Sequence, residues 1–159
     1  MPEGIVGSIT HCGSWAVALA ASSSVARSIG VDLENSRTIR DEGMTDLVCH
    51  ATEAAWVMNG PDRRQRLTML FSAKESVFKA LFPLCRRFME FTDVSLSWVD
   101  EQNHFRGRLL VDLSGDFIRG HEFEVGCRHE GDFILTYIIY PVADQITVRS
   151  TVGQKRARS

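Results

Sequence analysis

Between residues 62 and 82 apolar side chains recur at helical spacing, and on both sides of that stretch the pattern is that of strands. Leu67, Leu70, Phe71, Val77, Phe78 and Leu81 fall on core positions of the long helix. Asp62 is placed to cap its start, and Pro83 is expected to end it. Shorter helical segments at 44–50 and 52–59 precede it, the second set apart by Gly60-Pro61. Upstream, 5–10 is a short strand bounded by glycines, and 15–21 is apolar on both faces, as a buried strand is. Ser22-Ser23-Ser24 reads as a turn, and 27–34 alternates, with Ile29, Val31 and Leu33 on one face and Gly30, Asp32 and Glu34 on the other. Downstream, strands are expected at 94–99, 105–113, 122–128 and 133–140, the last two joined by a hairpin at Glu130-Gly131-Asp132. Strands, then helices, then strands predict an α+β domain: a mainly antiparallel sheet packed against a helical segment.

With 159 residues, 44% hydrophobic and 24% charged, the chain can bury one substantial core, and disordered, collagen-like or disulfide-stapled classes are excluded. A net charge of -2 supplies no basic field for nucleic acid. No apolar run approaches the ~20 residues of a membrane-spanning helix. Cys12, Cys49, Cys85 and Cys127 are widely spaced, with no CxxC pair. The neighbours His11-Cys12 and Cys49-His50 are poor geometry for tetrahedral zinc. The first residues lack the basic and apolar regions of a secretory signal, so a cytoplasmic protein with reduced thiols is expected. The stretch 143–159, ending Lys-Arg-Ala-Arg-Ser, reads as a polar basic tail.

Three segments carry chemistry. Asp32 and Glu34 stand two apart on a strand, so both carboxylates project from one face and repel unless a cation lies between them. The ordinary reading of such a pair is a solvated strand end. Glu75 and Lys79 are i,i+4 neighbours on the long helix, ordinarily a surface ion pair. A third carboxylate meeting Asp32 and Glu34 makes an all-oxygen site, which selects Mg2+ before Zn2+. In Gly7-Ser8-Ile9-Thr10-His11-Cys12-Gly13 the glycines point to close backbone approach, and Thr10 and His11 are candidate ligands for phosphate oxygens.

Together, Gly7-Ser8-Ile9-Thr10-His11-Cys12, Ile29-Gly30-Val31-Asp32-Leu33-Glu34 and Phe71-Ser72-Ala73-Lys74-Glu75-Ser76-Val77-Phe78-Lys79-Ala80 resemble the 4'-phosphopantetheinyl transferases of the surfactin and enterobactin type, the enterobactin branch being nearer. The family writes the last two approximately as (I/V)G(I/V)D(I/L)E and (W/F)(S/A)xKE(A/S)xxKA. The resemblance covers residues 3–140. It implies transfer of phosphopantetheine from coenzyme A to a serine of a carrier protein, siderophore, fatty-acid and polyketide carriers all being open. It implies Mg2+ held by Asp32, Glu34 and Glu75, with Glu75 also the general base. Lys79 would stabilise phosphate charge, while Thr10, His11 and, less directly, Lys74 would contact coenzyme A.

Members of this type contain two similar subdomains with coenzyme A between them. On that comparison residues 1–25 are the remnant of the first with the histidine motif, 26–142 are the second, and 143–159 are the tail: one half of a pseudo-dimer. The basic residues that grip the coenzyme A 3'-phosphate are then expected outside this sequence, and apolar surface left by the other half is expected to favour self-association. The alternative function is a truncated, non-catalytic carrier-binding module. It would dock a partner through Glu53-Ala54-Ala55-Trp56-Val57-Met58, for which the ordinary reading is core packing of Trp56.

Overall fold

A computed structural model describes residues 3–39 and 43–142; the basic tail falls outside them. Strands β1 (Ile5–Cys12) and β2 (Trp15–Ser22) form an antiparallel hairpin. Then come β3 (Ala26–Asn35), helices α1 (Met44–Val48), α2 (Ala51–Met58) and α3 (Arg63–Cys85), and strands β4 (Val94–Val99), β5 (His104–Leu109), β6 (Glu122–Glu130) and β7 (Phe133–Pro141). The five later strands make one antiparallel sheet in the order β3-β7-β6-β5-β4, with α3 across one face. The α+β class expected from the order of periodicities is the class observed. Among the described residues no helix is long and apolar enough to cross a membrane.

Helix α3 starts where expected: Asp62 Oδ1 accepts the Gln65 N–H at 2.9 Å. It runs past Pro83, which sits inside the last turn, and ends at Arg86 in the left-handed conformation (φ 53°). A proline removes one helical hydrogen bond, and so close to the end the helix survives it. Leu67, Leu70, Val77 and Leu81 are fully buried against Val94, Phe105, Leu109, Val125 and Ile134 of the sheet. The expected strand 105–113 stops at Leu109: Leu110 N still donates to Asp93 O in register with β4, but Asp93 N turns back to Glu90 O in a 3-10 turn, so the ladder goes no further.

One expectation about the first strands is corrected, and the orientation of β3, which the alternation leaves open, is fixed. The apolar run in β2 is mostly exposed, since this strand belongs to a two-stranded hairpin and not to the central sheet. Ile29, Val31 and Leu33 of β3 are buried, but on the face away from α3, which they share with Ile139, Tyr137 and Leu135 of β7 by register. The helix packs on the other face, that of Ser28, Gly30 and Asp32. Ser28 Oγ donates to Ala80 O at 2.7 Å, and Ser72 and Ser76 meet Thr136 of β7 at 2.9 and 2.7 Å. A Cβ on Gly30 would lie 1.8 Å from Ser76 O, so only glycine permits this approach. Small polar residues therefore draw α3 close to β3, and that proximity builds the site.

Candidate active site

Asp32 stands on the helix-facing side of β3 and is 3% exposed. Its Oδ1 accepts two hydrogen bonds, from Lys79 Nζ at 2.7 Å and from Thr10 Oγ1 at 3.2 Å. Its Oδ2 is buried with no partner among the described residues. Glu34, two residues on, is half-buried, and its carboxyl is pushed up to about 7 by burial and then by the charges of Asp32 and Glu75, against the pull of Lys79. Glu75 is raised for the same reasons, burial first and Asp32 second. The three carboxylates thus share one electrostatic neighbourhood, with Lys79 as its cation. Among the described residues no three acidic, imidazole or thiol side chains, Asp32, Glu34 and Glu75 included, are gathered closely enough to hold a metal ion as they stand.

Lys79 reaches across from α3 and also donates to Val31 O at 3.1 Å, leaving one ammonium N–H for a further acceptor. His11 is exposed on β1. Thr10 is not: it is 6% exposed, and its hydroxyl accepts the Leu33 N–H at 3.2 Å while donating to Asp32. Thr10, expected to contact phosphate, has its hydroxyl engaged inside the protein, on Leu33 N and Asp32 Oδ1.

Lys74, expected to contact coenzyme A, is also engaged inside the fold. Its side chain is 1% exposed, and Nζ donates to Val48 O at 2.7 Å, Glu53 Oε2 at 2.8 Å and Phe91 O at 3.0 Å. All three ammonium protons have acceptors within the protein. Burial lowers the Lys74 pKa, and Glu53 opposes that shift. In the sequence Glu53 stands out only as part of the candidate docking stretch 53–58. Its Oε1 accepts Leu96 N and its Oε2 accepts His50 N, both at 2.7 Å. The helix-start pattern of an acid three residues after His50 marks it as a capping residue, but only the tertiary structure buries it.

Beside Glu75 opens an apolar cavity of about 170 Å³ lined by Glu75, Phe78, Phe88, Met89, Glu90 and Phe91, with Lys74 and Val94 at its wall. The docking stretch of the alternative function is partly packed inside the fold, though Met58 is 48% exposed. Trp56 packs on Trp98 and Phe105 with ring centroids 6.2 and 5.7 Å away, and Glu53 and Val57 are buried.

Residues 28–138, which contain Asp32, Glu34, Glu75 and Lys79, match the family model described as the 4'-phosphopantetheinyl transferase superfamily. The chain belongs to that superfamily. It is similar to the 4'-phosphopantetheinyl transferase Svp of Streptomyces mobaraensis, 37% identical over 113 residues that cover 69% of this chain and 46% of that protein. It is also similar to the transferase Npt of Nocardia iowensis, 35% identical over 117 residues covering 69% and 52%. This transferase-family chain thus spans about half the length of the curated relatives it matches. Among solved structures it shares its fold with the holo-ACP-synthase of Plasmodium yoelii, at a TM-score of 0.51 and 13% identity, over 71% of this chain and 92% of that one.

Proposed function

We propose that this chain carries the acidic half of a phosphopantetheinyl transferase site, which moves 4'-phosphopantetheine from coenzyme A to a serine hydroxyl of a carrier protein. The observation that carries the reading is the buried, unpartnered Asp32 Oδ2, with Glu34 and Glu75 near enough that their carboxyls are raised by burial first and by the Asp32 charge second. Three acids so arranged call for a cation, and an all-oxygen donor set suits Mg2+. Asp32, Glu34 and Glu75 would hold it. Bound there, Mg2+ supplies charge neutralisation at the coenzyme A diphosphate.

The chain's own groups account for the rest. Glu75, its pKa raised by burial and by the Asp32 charge, takes the proton of the carrier serine, directly or through one water. The serine oxygen forms a bond to the pantetheine-side phosphorus as that atom's bond to the bridging oxygen breaks. Adenosine 3',5'-bisphosphate leaves with the bonding electrons. Lys79 presents its remaining N–H to the phosphate oxygens, and His11, exposed on β1, meets the phosphates of the outgoing nucleotide. The cavity beside Glu75 suits the uncharged pantetheine arm, whose dimethyl carbon and amides match an aromatic wall with few polar groups.

In this reading the enzyme works in the cytoplasm, where coenzyme A is available. Its carriers belong to nonribosomal peptide or polyketide synthesis, a siderophore carrier of the enterobactin kind being the first to try. The remaining contacts to coenzyme A come from a second half-site, which a second copy of this chain could supply.

The test is mass spectrometry of a panel of apo carriers incubated with the chain, coenzyme A and Mg2+. The expected result is one added phosphopantetheine on a carrier serine. Glu75→Gln should slow the transfer by ~10²–10⁴-fold, the usual contribution of a positioned base. No mass gain on any carrier that an unrelated transferase loads would overturn the reading.

A further inference from the structure

Strand β1 does not pair with β3 through its backbone. It lies along the free edge of β3 and meets it through side chains. Val31 N donates to Ser8 Oγ at 3.1 Å and Leu33 N donates to Thr10 Oγ1 at 3.2 Å. The Asn35 backbone N–H meets the Cys12 thiol in the same way. Each contact joins residues 23 apart, so the two strands run in the same direction with a fixed register. This side-chain ladder replaces the carbonyl acceptors of an ordinary sheet.

One rung differs from the others. The Thr10 hydroxyl has a single proton, and it accepts Leu33 N–H, so that proton is free to point elsewhere. It points to Asp32 Oδ1 at 3.2 Å, where Lys79 Nζ also donates at 2.7 Å. Both donors hold the same oxygen, and the other, Oδ2, is left buried and unpartnered. A carboxylate fixed by one oxygen has one oxygen to offer and a restricted direction in which to offer it.

We infer that Thr10 is a positioning residue: clasped to Leu33 N, it fixes the Asp32 carboxylate so that Oδ2 alone is presented to the divalent cation. This rests on the proposed role of Asp32 as a metal ligand. It assigns Thr10 a part distinct from contact with coenzyme A, because the hydroxyl acts through Asp32 and is itself 6% exposed.

The experiment measures Mn2+ binding to the full 159-residue chain by electron paramagnetic resonance, without coenzyme A or carrier. Wild type, Thr10→Val, Thr10→Ser, Ser8→Ala and Asp32→Asn are compared, with folding followed by circular dichroism. Thr10→Val is expected to weaken Mn2+ binding by ~10–100-fold, as loss of a hydrogen bond to a metal ligand does. Thr10→Ser keeps the hydroxyl and should stay within about twofold of wild type on the same argument. Ser8→Ala removes a rung that does not touch Asp32 and should do the same. If Thr10→Val does not fold, Thr10→Ala removes the same hydroxyl and is held to the same criterion.

In carrier-loading kinetics the Thr10→Val change should lower kcat and leave KM for coenzyme A in place. A folded hydroxyl-free variant with wild-type Mn2+ affinity would overturn the inference. So would a Thr10→Ser affinity as poor as that of Thr10→Val, or a raised KM for coenzyme A with Mn2+ affinity unchanged. If wild type binds Mn2+ no better than Asp32→Asn, the metal reading itself fails, an outcome separate from the failure of Thr10 alone.

Discussion

At Asp32 one carboxylate oxygen receives two hydrogen bonds while its twin, equally buried, receives none. A buried acceptor without a partner costs about 1–3 kcal/mol, so a protein keeps one where something else is meant to fill it. Glu34 carries the companion strain. Its carboxyl is raised from 4.5 to about 7, so the folded chain holds a proton that the unfolded chain releases at lower pH. The sign follows from that difference: the contribution to stability is complete below the unfolded pKa and is lost as pH rises through the folded one. Glu75 shifts in the same direction. Metal-free protein is therefore expected to melt at a higher temperature at about pH 5.5 than at about pH 8. Mg2+ should raise the melting temperature more at the higher pH. Differential scanning fluorimetry in chelator and in Mg2+ reads both effects, and Glu34→Gln should shrink the pH difference. A chelated wild type that is more stable at the alkaline end than Glu34→Gln would contradict this. At this scale residue type and strand parity made Asp32, Glu34, Glu75 and Lys79 legible as candidates. The duties of Thr10 and Lys74 were not, because a side chain's partner lies far away in the chain.

Among the elements, Lys74 and Glu53 do the joining. From α3 the ammonium reaches the end of α1, the first turn of α2 and the short turn of 3-10 helix at Phe91–Asp93, and through Glu53 it meets β4. The pair is 1% exposed on both sides, so its worth cannot be read as that of a surface ion pair. Removing one charge leaves the other stranded. Lys74→Met is expected to destabilise the fold by about 3–5 kcal/mol in urea denaturation, and Lys74→Met with Glu53→Gln should recover part of the loss. A single variant as stable as wild type would show that the charges are not coupled. In the sequence Lys74 carries only the coenzyme A contact that the family resemblance implies, with nothing to mark it as buried. Helical period misleads here because α3 is covered on more than its apolar stripe: Thr68, Ser72 and Ser76 are fully buried as well. The same cause hid the direction in which β3 faces, since α3 packs on its polar side through Gly30.

Over the whole molecule, large apolar side chains remain exposed around the β1–β2 hairpin and the adjoining sheet face. Ile9 is 69% exposed, Trp15 64% and Ile139 51%. Such a grouping favours association. Sedimentation velocity is expected to show concentration-dependent self-association of the chain, shifted toward monomer by Trp15→Ser. A monomer at every concentration would refute it.

The order of strands and helices, the cap at Asp62, the hairpin at Gly131 and the acidic pair on β3 could all be read from residues alone. Each depends on local period or on the preferences of a few neighbouring residues. Packing alone determined that α3 lies against the polar face of β3, that Thr10 turns to Asp32, and that Lys74 turns inward to Glu53. These are contacts between residues 21 and 22 apart or more, and no local pattern encodes which of two polar groups burial will bring together.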